Sequence, residues 1–253
     1  MVIIALMNKY KINIKYINTF ESFLLSIKER FLKSENILHK ARNEIRVLHH
    51  DGIDIVVKSF KIPHLLNRIV YSFFRDSKAK KSYENSIKIA SFVPAPIGYI
   101  EFYASGLLKE SFFLCEEFKY DFTIREPLLD KNHHDKNEIL KAFARFTLEL
   151  HDNDIYHDDY SPGNILIQKD VNSYIFKLVD INRMKFYKLS ESDRAKNFSK
   201  LWASDEELTL MATEYMQHHA CDENFVEQVL YYSNKNKKIK NFKKRLKGKP
   251  VND

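Results

Sequence analysis

Between residues 157 and 183 the chain places three carboxylates, two amides and a guanidinium in two short segments. These are His157-Asp158-Asp159-Tyr160-Ser161-Pro162-Gly163-Asn164 and Asp180-Ile181-Asn182-Arg183. Asn164 follows Asp159 by five residues, and Asp180 follows Asn164 by sixteen. A carboxylate beside an attacking hydroxyl can take up its proton. An amide oxygen and a second carboxylate can hold a divalent cation against phosphate oxygens, and phosphoryl transfer needs both. Zinc chemistry fits less well: His133, His134, His151 and His157 form no H-E-x-x-H or other recognised ligand spacing. His157 is therefore expected to be a packed, hydrogen-bonded histidine of the loop. Ser161 lacks the G-x-S-x-G elbow of a hydrolase nucleophile.

The flanking patterns supply elements to hold this loop. Asn137–Asp152 has the period of an amphipathic helix, with Ile139, Leu140, Phe143, Phe146, Thr147 and Leu150 recurring on one face. The β-rich runs 165–168 and 174–179 follow the loop, so Asp180 stands at the end of a strand. Beyond Ser190 the pattern is helical to Tyr232. The first half reads differently. Lys11–Tyr16 alternates like a half-buried strand, and the opening MVIIALM also reads as a strand rather than a signal peptide. Thr19–Phe31 reads as one helix behind a Thr19 cap. Glu44–His50 and Ile53–Phe60 flank Asp51-Gly52, a strong hairpin signal. Ser77–Ala90 is a lysine-rich helix, and 97–104 and 107–118 are paired strands across Ser105-Gly106. A strand-rich half thus precedes a helix-rich half, with the change near residues 116–121.

The loop and the later aspartate resemble the protein-kinase catalytic loop H-R-D-x-x-x-x-N and its D-F-G metal aspartate. With that frame, the strand-rich half must provide a lysine for the nucleotide phosphates. Lys58, at the end of Ile55-Val56-Val57-Lys58, matches V-A-I-K in character. Glu84 on the 77–90 helix is the candidate to orient that lysine. Cys115-Glu116-Glu117-Phe118 is the candidate hinge, meeting adenine through its backbone. G-x-G-x-x-G is absent, its hairpin position being roughly His39–Asn43, and no A-P-E follows Asp180. An ordinary protein kinase is excluded on those grounds.

Composition bounds the remaining classes. The chain has 253 residues, 44% of them apolar and 30% charged, as a globular protein has. Five glycines allow neither a Walker loop nor a Rossmann fingerprint. Cys115 and Cys221 stand alone, which points away from a disulfide framework and towards a reducing compartment. No run of 18 apolar residues occurs. The net charge of +7 is local, because Ser233–Pro250 carries nine Lys and Arg and no acid; subtracting these leaves −2 for the rest. Within that stretch Ile239, Phe242 and Leu246 would form a thin apolar stripe on a helix. Attraction to anionic lipid and a merely solvated tail both suit it. Specific nucleic-acid binding does not, since one aromatic residue makes no stacking platform.

Four stretches together are similar to the lipopolysaccharide kinase family, the Kdo and heptose kinases. They are Ala41-Arg42-Asn43; Val56-Val57-Lys58-Ser59-Phe60; Ser77-Lys78-Ala79-Lys80-Lys81-Ser82-Tyr83-Glu84; and His157–Leu166 with Asp180–Arg183. The resemblance implies an α+β fold of compact bilobal, protein-kinase-like type, with an antiparallel-sheet N-lobe and a mainly helical C-lobe. It implies a nucleotide-binding lobe over 1–118, a catalytic lobe over 119–232 and a basic tail over 233–253. The implied activity is a phosphotransferase acting on an alcohol, moving phosphate from ATP with Mg²⁺ or Mn²⁺ to a Kdo or heptose hydroxyl of a lipid-linked core acceptor. In that reading Asp159 is the base, Asn164 and Asp180 hold the metal, Lys58 meets the phosphates, Glu84 orients Lys58, and Glu116 and Phe118 meet the nucleotide. Arg183 would steady phosphate or an anionic acceptor. A cytoplasmic enzyme, peripheral on the inner membrane through Lys235–Lys249, is the implied location. A compact Ser/Thr protein kinase and a non-catalytic kinase-like membrane scaffold are the alternatives.

Overall fold

The computed structural model describes residues 6–40, 43–61, 65–248 and 250, and the chain divides into two compact units, Met1–Phe118 and Lys119–Asp253. Met1–Ala5 of the opening run, Ala41-Arg42 of the hairpin before Asn43, and Lys249 lie outside the described residues.

In the first unit, elements follow in the order β1 (Leu6–Ile12), α1 (Ile17–Leu25), α2 (Ile27–Lys33), β2 (Ile37–Lys40), β3 (Asn43–His50) and β4 (Ile53–Lys61). Then come α3 (Leu65–Phe73), α4 (Lys78–Lys88), β5 (Pro96–Ala104) and β6 (Leu107–Glu116). The strands form one antiparallel sheet, ordered β1-β5-β6-β4-β3-β2. Asp51 and Gly52 both take positive φ (50° and 75°), as a tight turn between right-twisted strands requires. Strand alternation divides the sheet's faces. Ile55 and Val57 of β4 join Phe20, Phe23, Leu24 and Ile27 in one core cluster. Phe60, with Val56 packed alongside, joins Ala79 and Tyr83 of α4, Tyr99, Phe113 and Cys115 in another. Lys58, between Val56 and Phe60, therefore lies on the α4 face. Arg46 fastens α2 to the sheet, its Nη1 donating to the carbonyls of Phe31 (2.7 Å) and Leu32 (3.3 Å) at the end of that helix.

Two sequence expectations need correction here. Lys11–Tyr16 is not a strand throughout: β1 ends at Ile12, and a 3₁₀ turn occupies Ile14–Tyr16. Asn13 causes the change, its side chain accepting from Lys15 N (3.2 Å) and donating to Pro96 O (3.1 Å). Thr19–Phe31 is two helices, beginning at Ile17 rather than behind Thr19. Ser26 breaks the run, its hydroxyl bonding back to Ser22 O (2.8 Å) and Phe23 O (3.2 Å).

The second unit begins with β7 (Phe122–Thr123), α5 (Arg125–Leu129), α6 (Lys136–Asp152), β8 (Ile155–His157), β9 (Ile165–Asp170), β10 (Ser173–Leu178) and β11 (Met184–Phe186). It ends with α7 (Glu191–Phe198), α8 (Asp205–His218) and α9 (Phe225–Arg245). Its strands make a three-stranded sheet, β10-β9-β7, and the pair β11-β8. Capping boxes start α7 (Ser190, Asp193) and α8 (Ser204, Glu207). The basic stretch from Ser233 is the second half of α9. It is fastened by buried Ser233, by Asn236 Nδ2 donating to Ser199 O (2.7 Å) and by Lys237 Nζ donating to Ala203 O (2.8 Å). Among the described residues no helix is long and apolar enough to cross a membrane.

The core assignment is testable by truncation. Phe20 is fully buried, edge-on to Tyr16 and Phe23 at centroid distances of 5.5 and 5.7 Å. Phe20→Ala should cost about 3–5 kcal/mol in urea unfolding, whereas Ile14→Ala, at an 86% exposed site, should stay within about 0.5 kcal/mol. Equal effects would contradict the packing described.

Candidate active site

The C-terminal unit brings Asp159, Asn164 and Asp180 together. Asn164 Nδ2 donates to the main-chain oxygen of Asp159 (2.9 Å). Val179 N donates to Asn164 O (2.9 Å), extending the β9–β10 ladder by one pair. Asp180, the next residue, is thereby set beside Asn164. It takes a left-handed conformation (φ 56°) at the start of a 3₁₀ turn over Ile181–Arg183. Aspartate tolerates that conformation better than most residues, and Asn182 Nδ2 holds its Oδ1 at 2.6 Å. The two segments are stitched a second time where β11 pairs with β8, Met184 opposite His157. Arg183 Nη1 lies 3.6 Å from Asp159 Oδ2. Asp158 points to another cation, its Oδ2 3.0 Å from Lys185 Nζ. Gly163 lies under the Arg125 guanidinium, whose Nη2 would be 2.6 Å from a Cβ built there and would have to move aside.

A buried polar chain underlies the loop. His157 is fully buried; its Nδ1 accepts from Asp159 N (3.1 Å) and its Nε2 faces Val179 O (3.4 Å). That assigns the neutral Nε2–H tautomer, and burial lowers the ring's pKa in the same sense. Asn197 Nδ2 donates to His157 O (2.9 Å), and Asn197 Oδ1 accepts from His151 Nε2 (3.1 Å). His151 Nδ1 accepts from Tyr215 OH (3.0 Å), which in turn accepts from Arg194 Nη1 (2.7 Å), a group paired with Asp152 (2.7 Å). Burial pushes His151 down to about 4, so it stays neutral and both its nitrogens are satisfied. The sequence contained no motif for Asn197, Tyr215 or Arg194. Their polar types within apolar helical faces were the available signal.

The first unit holds the remaining candidates. Lys58 is half-buried, with Nζ 5.3 Å from the Phe60 ring centroid. It is close enough to Cys115 to oppose the burial that pushes that thiol up to about 12. Glu84 is on α4, which packs on the same sheet face. Its carboxylate lies 3.8 Å from Lys80 Nζ, which is itself 2.6 Å from Asp76. At the end of β6, Glu116 N donates to Ala95 O (2.9 Å) and Glu117 N donates to Asp54 O (2.8 Å). The Glu116 carboxylate accepts from Tyr16 OH and lies 3.5 Å from Lys15 Nζ. Phe118 closes the unit, two residues past the strand.

The donor set tests the metal expectation. Among the described residues no group of three or more His, Cys, Asp or Glu side chains is placed to hold a metal ion. The chain instead offers Asp180 and, because the Asn164 amide nitrogen is committed to Asp159 O, the oxygen end of Asn164. Two hard oxygen donors suit a cation that takes its other ligands from substrate phosphates and water, as Mg²⁺ does.

His151 makes the unit sensitive to acid. Its folded pKa lies below the unfolded value, so its contribution is complete above about pH 6.5 and is lost as pH falls towards 4. His151→Gln should flatten the loss of urea stability between pH 7 and 5. An unaltered pH profile would contradict the neutral, buried assignment.

A family model described as the lipopolysaccharide kinase (Kdo/WaaP) family matches residues 91–221, just over half the chain and all of the 157–183 region. Sequence comparison with curated proteins gave no match. Among solved structures, "WaaP in complex with acyl carrier protein" is similar at TM-score 0.61 and 12% identity, covering 91% of this chain and 99% of that one. The Rio2 kinase–ADP/Mg²⁺–phosphoaspartate complex from Chaetomium thermophilum aligns at TM-score 0.45 and 15% identity, over 83% of this chain and 65% of that one. The likeness to WaaP, with the antiparallel sheet of the first unit and the helices of the second, makes the fold protein-kinase-like, and the matched region places this chain in the lipopolysaccharide kinase (Kdo/WaaP) family.

Proposed function

We propose that the protein is an ATP-dependent kinase that phosphorylates a Kdo or heptose hydroxyl of a lipid-linked lipopolysaccharide core acceptor. The observation that carries this reading is the pair of 2.9 Å hydrogen bonds that tie Asn164 to the main chain of Asp159 and to Val179, the residue before Asp180, in a chain of that family. In this reading the acceptor oxygen attacks the γ-phosphorus, the bond to the ADP oxygen breaks, and the Asp159 carboxylate takes the hydroxyl proton. Asn164 and Asp180 would hold Mg²⁺ or Mn²⁺, which neutralises phosphate charge when bound. Lys58 engages the phosphates with Glu84 orienting it, and the Glu116 carbonyl and Phe118 amide meet the adenine. Residues 1–118 are assigned to nucleotide binding and 119–232 to catalysis.

The proposal includes a peripheral location on the cytoplasmic face of the inner membrane. Ile239, Phe242 and Leu246 on α9 are 46, 61 and 71% exposed. Helical spacing puts them on one stripe with Lys235, half a turn from the face fastened by Lys237. Apolar side chains rimmed by Lys235, Lys238, Lys243 and Lys247 suit anionic lipid.

Two variants separate the roles. Asp159→Asn should lower turnover of ATP and Kdo-bearing lipid A precursor by about 10²–10⁴-fold while leaving Mg²⁺-ATP affinity unchanged in calorimetry. Asp180→Ala should weaken Mg²⁺-dependent nucleotide binding itself. Full turnover by Asp159→Asn, or unchanged nucleotide affinity in Asp180→Ala, would contradict the assignments.

A further inference from the structure

We propose that Lys200, Trp202, Lys240 and Lys244 form an acceptor subsite that binds the oxyanion of an acidic or phosphorylated sugar near Asp159. The proposal rests on the reading of Asp159 as the catalytic base, and it assigns the recognition step that reading leaves open.

Hydrogen bonds connect these residues to the loop. Asn197, which holds His157 O, is followed by a tight turn in which Lys200 N donates to Asn197 O (3.2 Å) and Leu201 N to Phe198 O (3.1 Å). Asn236 of α9 donates to Ser199 O in that turn (2.7 Å), and Lys237 donates to Ala203 O (2.8 Å). Lys240 and Lys244 are one and two turns further along the same face of α9. Their Nζ atoms lie 5.0 and 5.6 Å from the Trp202 ring centroid. Burial lowers the Lys240 pKa, Lys200 and Lys244 add to that shift by repulsion, and Asp159 opposes it. Three ammonium groups and the base carboxylate thus share one field within the C-terminal unit.

Two features suggest a binding site rather than incidental surface charge. Trp202 holds a left-handed backbone (φ 59°), an outlier for so bulky a residue, and such strain concentrates at functional positions. Three clustered like charges are also unfavourable, the single Asp159 carboxylate offsets only part of their repulsion, and a bound anion would relieve the rest. An indole flanked by ammonium groups offers a sugar ring an apolar face and offers its carboxylate or phosphate charge-assisted donors. The exposed stripe of Ile239, Phe242 and Leu246 lies on the opposite side of α9, so membrane contact there would leave the Lys240–Lys244 face available for a sugar.

Trp202 is the chain's single tryptophan, so its fluorescence reports occupancy directly. The full-length protein would be titrated with free Kdo, with heptose 7-phosphate, with neutral heptose, with Mg²⁺-ATP and with phosphatidylglycerol vesicles. We expect saturable change with Kdo, heptose phosphate or both, the responding arm identifying carboxylate or phosphate as the ligand group, and none with neutral heptose. The double variant Lys240→Gln/Lys244→Gln should bind the responding sugar about tenfold more weakly and raise the acceptor KM similarly, with Mg²⁺-ATP affinity intact. No response to either charged sugar, an unchanged affinity in the variant, or a response to vesicles or ATP alone would overturn the subsite. Charged-sugar binding without phosphate transfer by the wild type would instead count against the kinase reading and leave the subsite standing.

Discussion

Asn197 bonds in two directions at once, and the arrangement of the loop depends on it. Its amide nitrogen donates to the carbonyl of His157 and its oxygen accepts a hydrogen bond from the Nε2–H of His151. Both histidines are buried, and an unpaired polar group at that depth would cost roughly 1–3 kcal/mol. Each hydrogen bond therefore fixes the next. His151 must be neutral to accept from Tyr215, and His157 must be neutral at Nδ1 to accept the Asp159 amide. The backbone at Asp159 is consequently set from beneath by a hydrogen-bonded network, while its side chain faces Arg183. Such preorganisation is what a transfer reaction with little covalent participation by the protein demands.

The same logic connects the loop to the helix that closes the chain. The turn after Asn197 accepts from Asn236 and Lys237, so the positively charged end of α9 is placed by contacts that begin at the loop. One helix consequently carries two kinds of surface. The face with Lys237, Lys240 and Lys244 turns towards Ala203 and Trp202. The face with Ile239, Phe242 and Leu246 turns to solvent. Half a helical turn between them would let the proposed acceptor recognition and the proposed membrane attachment coexist without competing for the same lysines.

Much of this was legible in the sequence, for physical reasons. The Asp-Gly turn permits positive φ at both positions, the β4 alternation divides two cores, and the Asp159–Asn164 spacing reflects a loop between short strands. The antiparallel sheet and the helical second half followed from those patterns. What was not legible depends on partners distant in the chain. Lys11–Tyr16 alternates like a strand, yet Asn13 finds Pro96 O and turns the chain. Thr19–Phe31 has helical period throughout, yet the Ser26 hydroxyl competes with the helix for main-chain carbonyls. Asn197 and Trp202 carry no motif, because their significance arises only when α7 meets β8 and α9 crosses the turn beyond it.

The central claim concerns the acceptor, and one measurement addresses it most directly. γ-labelled ATP and Mg²⁺ would be supplied to the purified protein with Kdo-bearing lipid A precursor in one tube and a generic basic protein in another. The account predicts label in the lipid, on a sugar hydroxyl, and none in the protein. Label in the protein alone would contradict it.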